Sequence, residues 1–293
     1  MNFQQHLLSR FMNIAFFISV VLQILSCTDE VPTSLVTSIP QYHPTNDSLL
    51  AVAERKDTVA NTFVIPPKMP KAQIDSNSKV VYLTFDDGPL SPTHFLTNII
   101  NQKQVKMSSF VVGKHAKANK DFWKKMEEMR VHPYIELCNH SYSHAYHKYK
   151  YFYSNPQSAA KDMIDNEADL GLTLKIIRMP GRDIWATPNI KRGWGQSGGK
   201  TAEILLDKGF KIYGWDIEWE HYGNTLPKVT PEQFVSQVDY MFIHGVMQVP
   251  NHLVILGHDE MLVKERGRQD ISRIIDMLKD RGYIFEFISN YPM

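Results

Sequence analysis

VVYLTFDDGPLSPTH, Val80 to His94, is the stretch on which the reading of the fold turns. Val80, Val81, Tyr82, Leu83, Thr84 and Phe85 form a β-branched and aromatic run, the composition of a buried strand, and it stops abruptly at Asp86, Asp87, Gly88 and Pro89. Two adjacent carboxylates therefore stand at the C-terminal end of a core strand. Repulsion and partial desolvation make such a pair costly unless a cation or a strong donor is beside it, so the doublet points to metal or acid–base chemistry. Asp, Gly and Pro are also ordinary turn formers, and the same letters fit a plain strand end.

Outward from this strand, short apolar runs alternate with amphipathic stretches. Further strands are expected at 107–112, 133–138, 174–178, 210–216, 253–256 and 283–288. Helices are expected from about 92, near 121–130, and at 156–170, 199–208, 231–243 and 263–281, with Gly209 as a C-terminal glycine and Thr230 before Pro231 as an N-cap. Strands alternating with helices are the signature of a parallel sheet covered by helices, here an α/β distorted barrel of about seven strands. In a barrel the reactive groups gather at the C-terminal strand ends. The polar residues at those ends are Asp86, Asp87, His140, His144, Arg178, Asp216, Glu218 and His258.

With 293 residues, 43% of them hydrophobic and 22% charged, the chain can bury a core of barrel size. A net charge of +1, with no basic stripe and no zinc-finger spacing, gives no indication of nucleic-acid binding. The two cysteines, Cys27 and Cys138, lie far apart in sequence and in expected role, so a disulfide framework is not the organising principle.

Phe11 to Ser26 is an apolar run after Arg10, short of the roughly 20 residues a spanning helix needs and suited to a secretory signal. Ile24-Leu25-Ser26-Cys27 resembles a bacterial lipobox, with Cys27 the lipidated residue and acidic Asp29 and Glu30 after it; an uncleaved signal anchor is the alternative. Residues 27–78 are rich in Pro, Thr, Ser, Asn and Asp and read as a tether. The expected organisation is a signal at 1–26, a tether at 27–78 and a catalytic domain at 79–293, lipid-anchored outside the cytoplasm.

His140-Ser-Tyr-Ser-His144 spaces two imidazoles four apart, on one face of a helical turn directly after a strand. Such a pair can share a divalent ion with a carboxylate such as Asp87, leaving a fourth position for water, as in catalytic zinc sites. Spacing alone is weak, since the chain has 12 His.

TFDDGP at 84–89, NHSYSH at 139–144, Arg178 with Pro180, and LGHD at 256–259 resemble, in order, the motifs of the polysaccharide deacetylase family, the NodB homology domain or carbohydrate esterase family 4. The resemblance spans about 79–287. It implies a barrel with fewer than eight strands and a metal, usually Zn²⁺ and otherwise an ion such as Co²⁺ or Ni²⁺, on Asp87, His140 and His144. It further implies Asp86 as general base, Arg178 holding Asp86, His258 as general acid, and Leu256 in the pocket for the acetyl methyl.

Departures from the family pattern are Cys138 where Gly is common, expected buried and inert, and Gly181-Arg182 in place of an aromatic after Pro180. In the fourth motif Glu218 replaces an aspartate and is counted among the catalytic candidates, which leaves open which acid of the motif tunes His258, and Trp219 or Tyr222 takes the place of the tryptophan. Pro180, Trp219, Tyr222 and Leu256 are the expected pocket residues. The aromatic and basic run from Tyr142 to Tyr153 either stacks sugar rings beside the site or is ordinary surface.

The expected activity is metal-dependent removal of N-acetyl groups from amino sugars of a glycan by a monomer. An O-acetyl esterase and a catalytically impaired glycan-binding protein are the alternatives.

Overall fold

The computed structural model describes residues 67–223 and 225–292. The signal, Cys27 and most of the tether lie outside the described residues. Within them, one sheet is built from β1 (Val80–Asp86), β2 (Met107–Val111), β3 (Ile135–Asn139), β4 (Ile176–Ile177), β5 (Trp185–Ala186), β6 (Lys191–Arg192), β7 (Lys211–Ile212), β8 (Ile217–Glu218), β9 (His252–His258) and β10 (Ile284–Phe285). The strand order is β6-β5-β7-β4-β3-β2-β1-β9-β8, and β10 pairs with the start of β1. All pairings are parallel except the two made by β5, an antiparallel hairpin with β6 and a bridge to β7.

The six expected helices are α1 (Thr93–Lys103), α2 (Lys120–Val131), α3 (Pro156–Leu170), α4 (Gly199–Asp207), α5 (Pro231–His244) and α6 (Glu265–Asp280). Thr230 and Gln233 close a reciprocal capping box at the start of α5, satisfying two N–H groups that the helix cannot. Gly209 takes φ +81° just past α4, a left-handed position that glycine occupies without steric cost. α6 buries Ile271, Ile274, Ile275 and Leu278, the spacing of one helical face. The seven strands expected from the sequence are all present. The β5–β6 hairpin and β8 are additions, strands of two residues each.

The expected tether boundary at 78 falls inside packed chain. Lys68 Nζ donates to the carbonyls of Arg130 and His132 at 2.7 and 2.8 Å, Met69 N to Pro133 O at 2.9 Å, and Ala72 N to Glu286 Oε2 at 2.7 Å. Backbone hydrogen bonding rather than apolar periodicity fastens this segment, so its composition reads as linker.

Strand alternation sorts the residues of β1. Val81, Leu83 and Phe85 join the cluster under the helices, with Ile271, Ile274 and Ile275 of α6. Val80 and Tyr82 face the barrel interior with Phe110, Cys138, Tyr213, Val254 and Tyr291. Thr84 and Asp86 continue that second set, so parity alone aims Asp86 inward at the mouth. On β9 the register pairs Asp86 with His258 and Thr84 with Leu256, on the same face.

Gly257, between them, lies against the fully buried Phe85, and a Cβ there would stand 2.9 Å from the ring. Gly257→Ala is expected to cost about 1–3 kcal/mol by overpacking, read as a lowered urea midpoint with an unchanged m-value.

Candidate active site

Arg178 follows β4 and is completely buried. Its Nη1 donates to Asp86 Oδ1 at 2.9 Å and to Thr84 Oγ1 at 2.7 Å, its Nη2 to Gly214 O at 2.8 Å and its Nε to Tyr213 O at 3.2 Å. The guanidinium also lies 4.3 Å from the centroid of the Phe110 ring. One carboxylate oxygen of Asp86 is thereby held by a charge-assisted bond, while Oδ2 faces His140 Nε2 at 3.5 Å.

Asp87 has φ +74°, a left-handed turn that brings its carboxylate to the same His140 Nε2 that Asp86 faces. His115, which the sequence did not single out, donates from Nδ1 to the Asp87 carbonyl at 2.7 Å and holds the turn. The next residue, Gly88, packs so closely on Asp259 that a Cβ would stand 2.8 Å from the carboxylate. Burial pushes Asp259 up to about 7, and it accepts a hydrogen bond from Thr93 at the start of α1.

Asp87 Oδ1 stands 2.9 Å from His144 Nε2 and 3.5 Å from His140 Nε2. His140 Nδ1 donates to the Arg178 carbonyl at 2.8 Å, which fixes the tautomer and leaves the Nε2 lone pair facing Asp87. Burial raises the Asp87 carboxyl, but the His144 hydrogen bond and the nearby imidazoles outweigh it and hold the group well below the usual carboxylate range. Burial lowers His140, whereas in His144 the bond to Asp87 overcomes burial and raises it.

One donor atom from each of the three residues lies within 4.8 Å of the others. Two imidazole nitrogens and a carboxylate oxygen at about 2.05 Å from one tetrahedral ion would be roughly 3.3 Å apart, so the spacing suits such an ion. Asp87 Oδ1 faces only the Nε2 atoms of His144 and His140, and the buried His144 Nδ1 has no hydrogen-bond partner among the described residues. The residues fit a divalent cation of the zinc, cobalt or nickel type.

The two histidines are not on a helical turn, as their spacing suggested. Ser141 has φ +68°, and His144, Ala145, Tyr146 and His147 all have φ near +50°. Side chains hold this loop in shape. Asp162 Oδ1 accepts from Tyr142 N at 2.9 Å and Ser143 N at 3.2 Å, Asn139 Oδ1 from Ser141 N at 2.8 Å, and Ser141 Oγ from His144 N at 3.0 Å. Asp162 comes from α3, so no local pattern could announce the arrangement.

The cavity has a volume of about 340 Å³, at the small end of ligand-sized clefts, and Asp86, Asp87, His140, His144, Leu256 and His258 line it. His258 ends β9; its Nδ1 is buried without a hydrogen bond, and the nearest carboxylate is Glu218 Oε1 at 3.9 Å. Glu218, the terminal residue of β8, also lines the wall, as do Trp215, Tyr149 and the ion pair of His221 with Glu260 at 3.1 Å.

Three expected pocket residues lie elsewhere. Trp219 is 1% exposed in the core under the helices, because its position on the alternation after β8 turns it away from the barrel. Tyr222 is 55% exposed outside the cavity, and Pro180 is buried with its carbonyl accepting from Tyr153 Oη at 2.9 Å. Trp215 and Tyr149 supply the aromatic wall instead. Cys138 is fully buried, and desolvation raises its thiol well above the ordinary value.

Removing one partner of a buried pair strands the other charge. Arg178→Met is expected to destabilise the fold by about 3–5 kcal/mol, and Arg178→Met with Asp86→Leu to recover part of the loss, both measured by denaturant unfolding.

Residues 73–187 match the family model for polysaccharide deacetylase. A peptidoglycan-N-acetylglucosamine deacetylase of Bacillus cereus is 26% identical over 248 residues, covering 80% of this chain and 81% of that protein. A polysaccharide deacetylase of Bacillus subtilis is 28% identical over 213 residues, covering 71% and 66%. Among solved structures, the catalytic domain of a peptidoglycan N-acetylglucosamine deacetylase from Eubacterium rectale superposes with a TM-score of 0.54 at 28% identity, covering 75% of this chain and 93% of that one. In sequence over these spans and in fold, the chain is therefore similar to polysaccharide deacetylases, and the acidic doublet, the histidine pair and His258 of the matching motifs line one cavity.

Proposed function

We propose that this chain is a metal-dependent hydrolase that removes N-acetyl groups from amino-sugar residues of a polysaccharide, releasing acetate and a free amine. The observation that carries the reading is the Asp86 carboxylate, pinned on one oxygen by Arg178 and open on the other beside the Asp87–His140–His144 set. Those three residues would hold Zn²⁺ or a similar ion, which when bound supplies Lewis acidity toward the amide carbonyl and the attacking water.

The chain's own residues divide the remaining work. Asp86 Oδ2 takes the proton of the attacking water, and the bond from Arg178 to Oδ1 keeps that carboxylate aimed. His258, across the mouth, gives a proton to the departing nitrogen. Glu218 Oε1, 3.9 Å from His258 Nδ1 and beyond hydrogen-bond distance, acts on the ring through its charge. Leu256, 2% exposed at the cavity wall, offers the acetyl methyl an apolar contact.

The apolar run Phe11 to Ser26, read as a secretory signal, and Cys27, read as a lipidation site, support an extracytoplasmic, lipid-anchored protein of the cell envelope that acts on glycan there. Among the described residues no helix is long and apolar enough to cross a membrane. O-acetyl groups are open to the same chemistry, and a panel of N- and O-acetylated oligosaccharides separates the two activities.

Acetate release from N-acetylated oligosaccharide by the zinc-loaded chain is the direct test. Chelation should abolish it, and Zn²⁺, Co²⁺ or Ni²⁺ should restore it. Asp86→Asn is expected to keep the metal while turnover falls about 10²–10⁴-fold; a variant that still releases acetate at the native rate would rule Asp86 out as base. His258→Gln should lower kcat by about 10²–10³-fold, Glu218→Gln by less, and the double variant by no more than His258→Gln alone, because Glu218 acts through the imidazole. Additive losses in that cycle would separate Glu218 from His258.

A further inference from the structure

Beside the catalytic cavity, and sharing His147 and Tyr149 with it, lies an open cleft lined by His147, Lys148, Tyr149, Lys150, Tyr151 and Arg182. It gathers three permanent cations and no carboxylate, in a chain whose net charge is only +1. Among the described residues none of the three is ion-paired: Arg182 donates to neutral acceptors on Ser197 and Gly181.

Those bonds make Arg182 a fixed charge. Nε donates to Ser197 O at 2.7 Å, Nη1 to Gly181 O at 2.6 Å and Nη2 to Ser197 Oγ at 2.6 Å. The guanidinium also lies over the rings of Tyr149 and Tyr153, at 5.6 and 5.1 Å. Gly181 permits this arrangement, since it sits at φ +63° and a Cβ would stand 3.0 Å from the Tyr149 ring. Tyr151, 80% exposed, presents an apolar ring at the rim.

We propose that this cleft is a subsite for an acidic sugar, the residue of the glycan next to the one that loses its acetyl group. The anion lies against Arg182, Lys148 and Lys150, and the pyranose ring packs on Tyr151. The proposal rests on the deacetylase reading and narrows its substrate to anionic amino-sugar polymers. Carboxylate, sulfate and phosphate substituents share the chemistry that such a cleft recognises.

The test uses the zinc-loaded chain with chitotetraose and the same tetrasaccharide carboxylated or sulfated at C6. KM for a charged form is expected to be about tenfold lower than for the neutral one at low ionic strength, and the preference should shrink at about 0.5 M salt. In Lys148→Gln/Lys150→Gln, whose side chains are exposed, the ratio of the two KM values should fall toward one. Preference for either charged form supports the subsite, and the stronger of the two names its anion. Equal KM for all three sugars, or an unchanged ratio in the double variant, overturns it. Calorimetric Kd values for the same sugars are read separately: absence of acetate release from all three defeats the deacetylase reading, while the Kd ratio still decides the subsite.

Discussion

The bond between the Arg178 guanidinium and Asp86 is the constraint on which the site depends. A fully buried guanidinium is tolerable only where its donors are matched, and here Asp86, Thr84, Tyr213 and Gly214 take four of them. Those acceptors come from β1 and from the segment after β7, so one side chain fastens two parts of the barrel mouth. The same contact leaves Asp86 with one committed oxygen and one open one. Structural and chemical roles therefore fall on a single ion pair, and neither partner can be changed without disturbing both.

Around that pair, backbone conformation does what side-chain spacing cannot. Asp86 and Asp87 are adjacent, yet regular strand geometry would send them to opposite faces. The left-handed φ at Asp87 breaks the alternation and turns its carboxylate back toward the histidines. Four successive left-handed residues from His144 to His147 carry His144 Nε2 to within 2.9 Å of it. Such conformations cost roughly 1–2 kcal/mol per non-glycine residue, and the bonds from Asp162, Asn139 and Ser141 offset them. Gly113 completes the support: a Cβ there would stand 2.2 Å from Asn166 Oδ1, and Asn166 in turn donates to Asn139 at 2.8 Å.

Two surfaces meet at Tyr149. One side faces the His144 ring, 5.9 Å away, and the other lies under Arg182. The departure from the family pattern at Gly181-Arg182 thus exchanges an aromatic for a cation held against a tyrosine from a different segment.

By itself the sequence determined the β/α alternation, the seven parallel strands, the boundaries of α3 and the cap of α5. Each is a local signal: apolar runs of strand length, amphipathic stretches between them, Thr-Pro at a helix start, glycine after a helix end. It also directed the acidic doublet and the histidine pair to one mouth, because both stand directly after strands and parallel strands deliver their ends to one side. Tertiary structure alone decided how they meet. The loop path of His140 to His144 depends on Asp162 of α3, and the tautomer of His140 on the Arg178 carbonyl. Trp215 and Tyr149, rather than Trp219 and Tyr222, line the cavity because burial assigns each aromatic to a face only once the sheet has curved. These are contacts between segments distant in sequence, and neither propensity nor spacing encodes the direction in which a side chain points after the chain has packed.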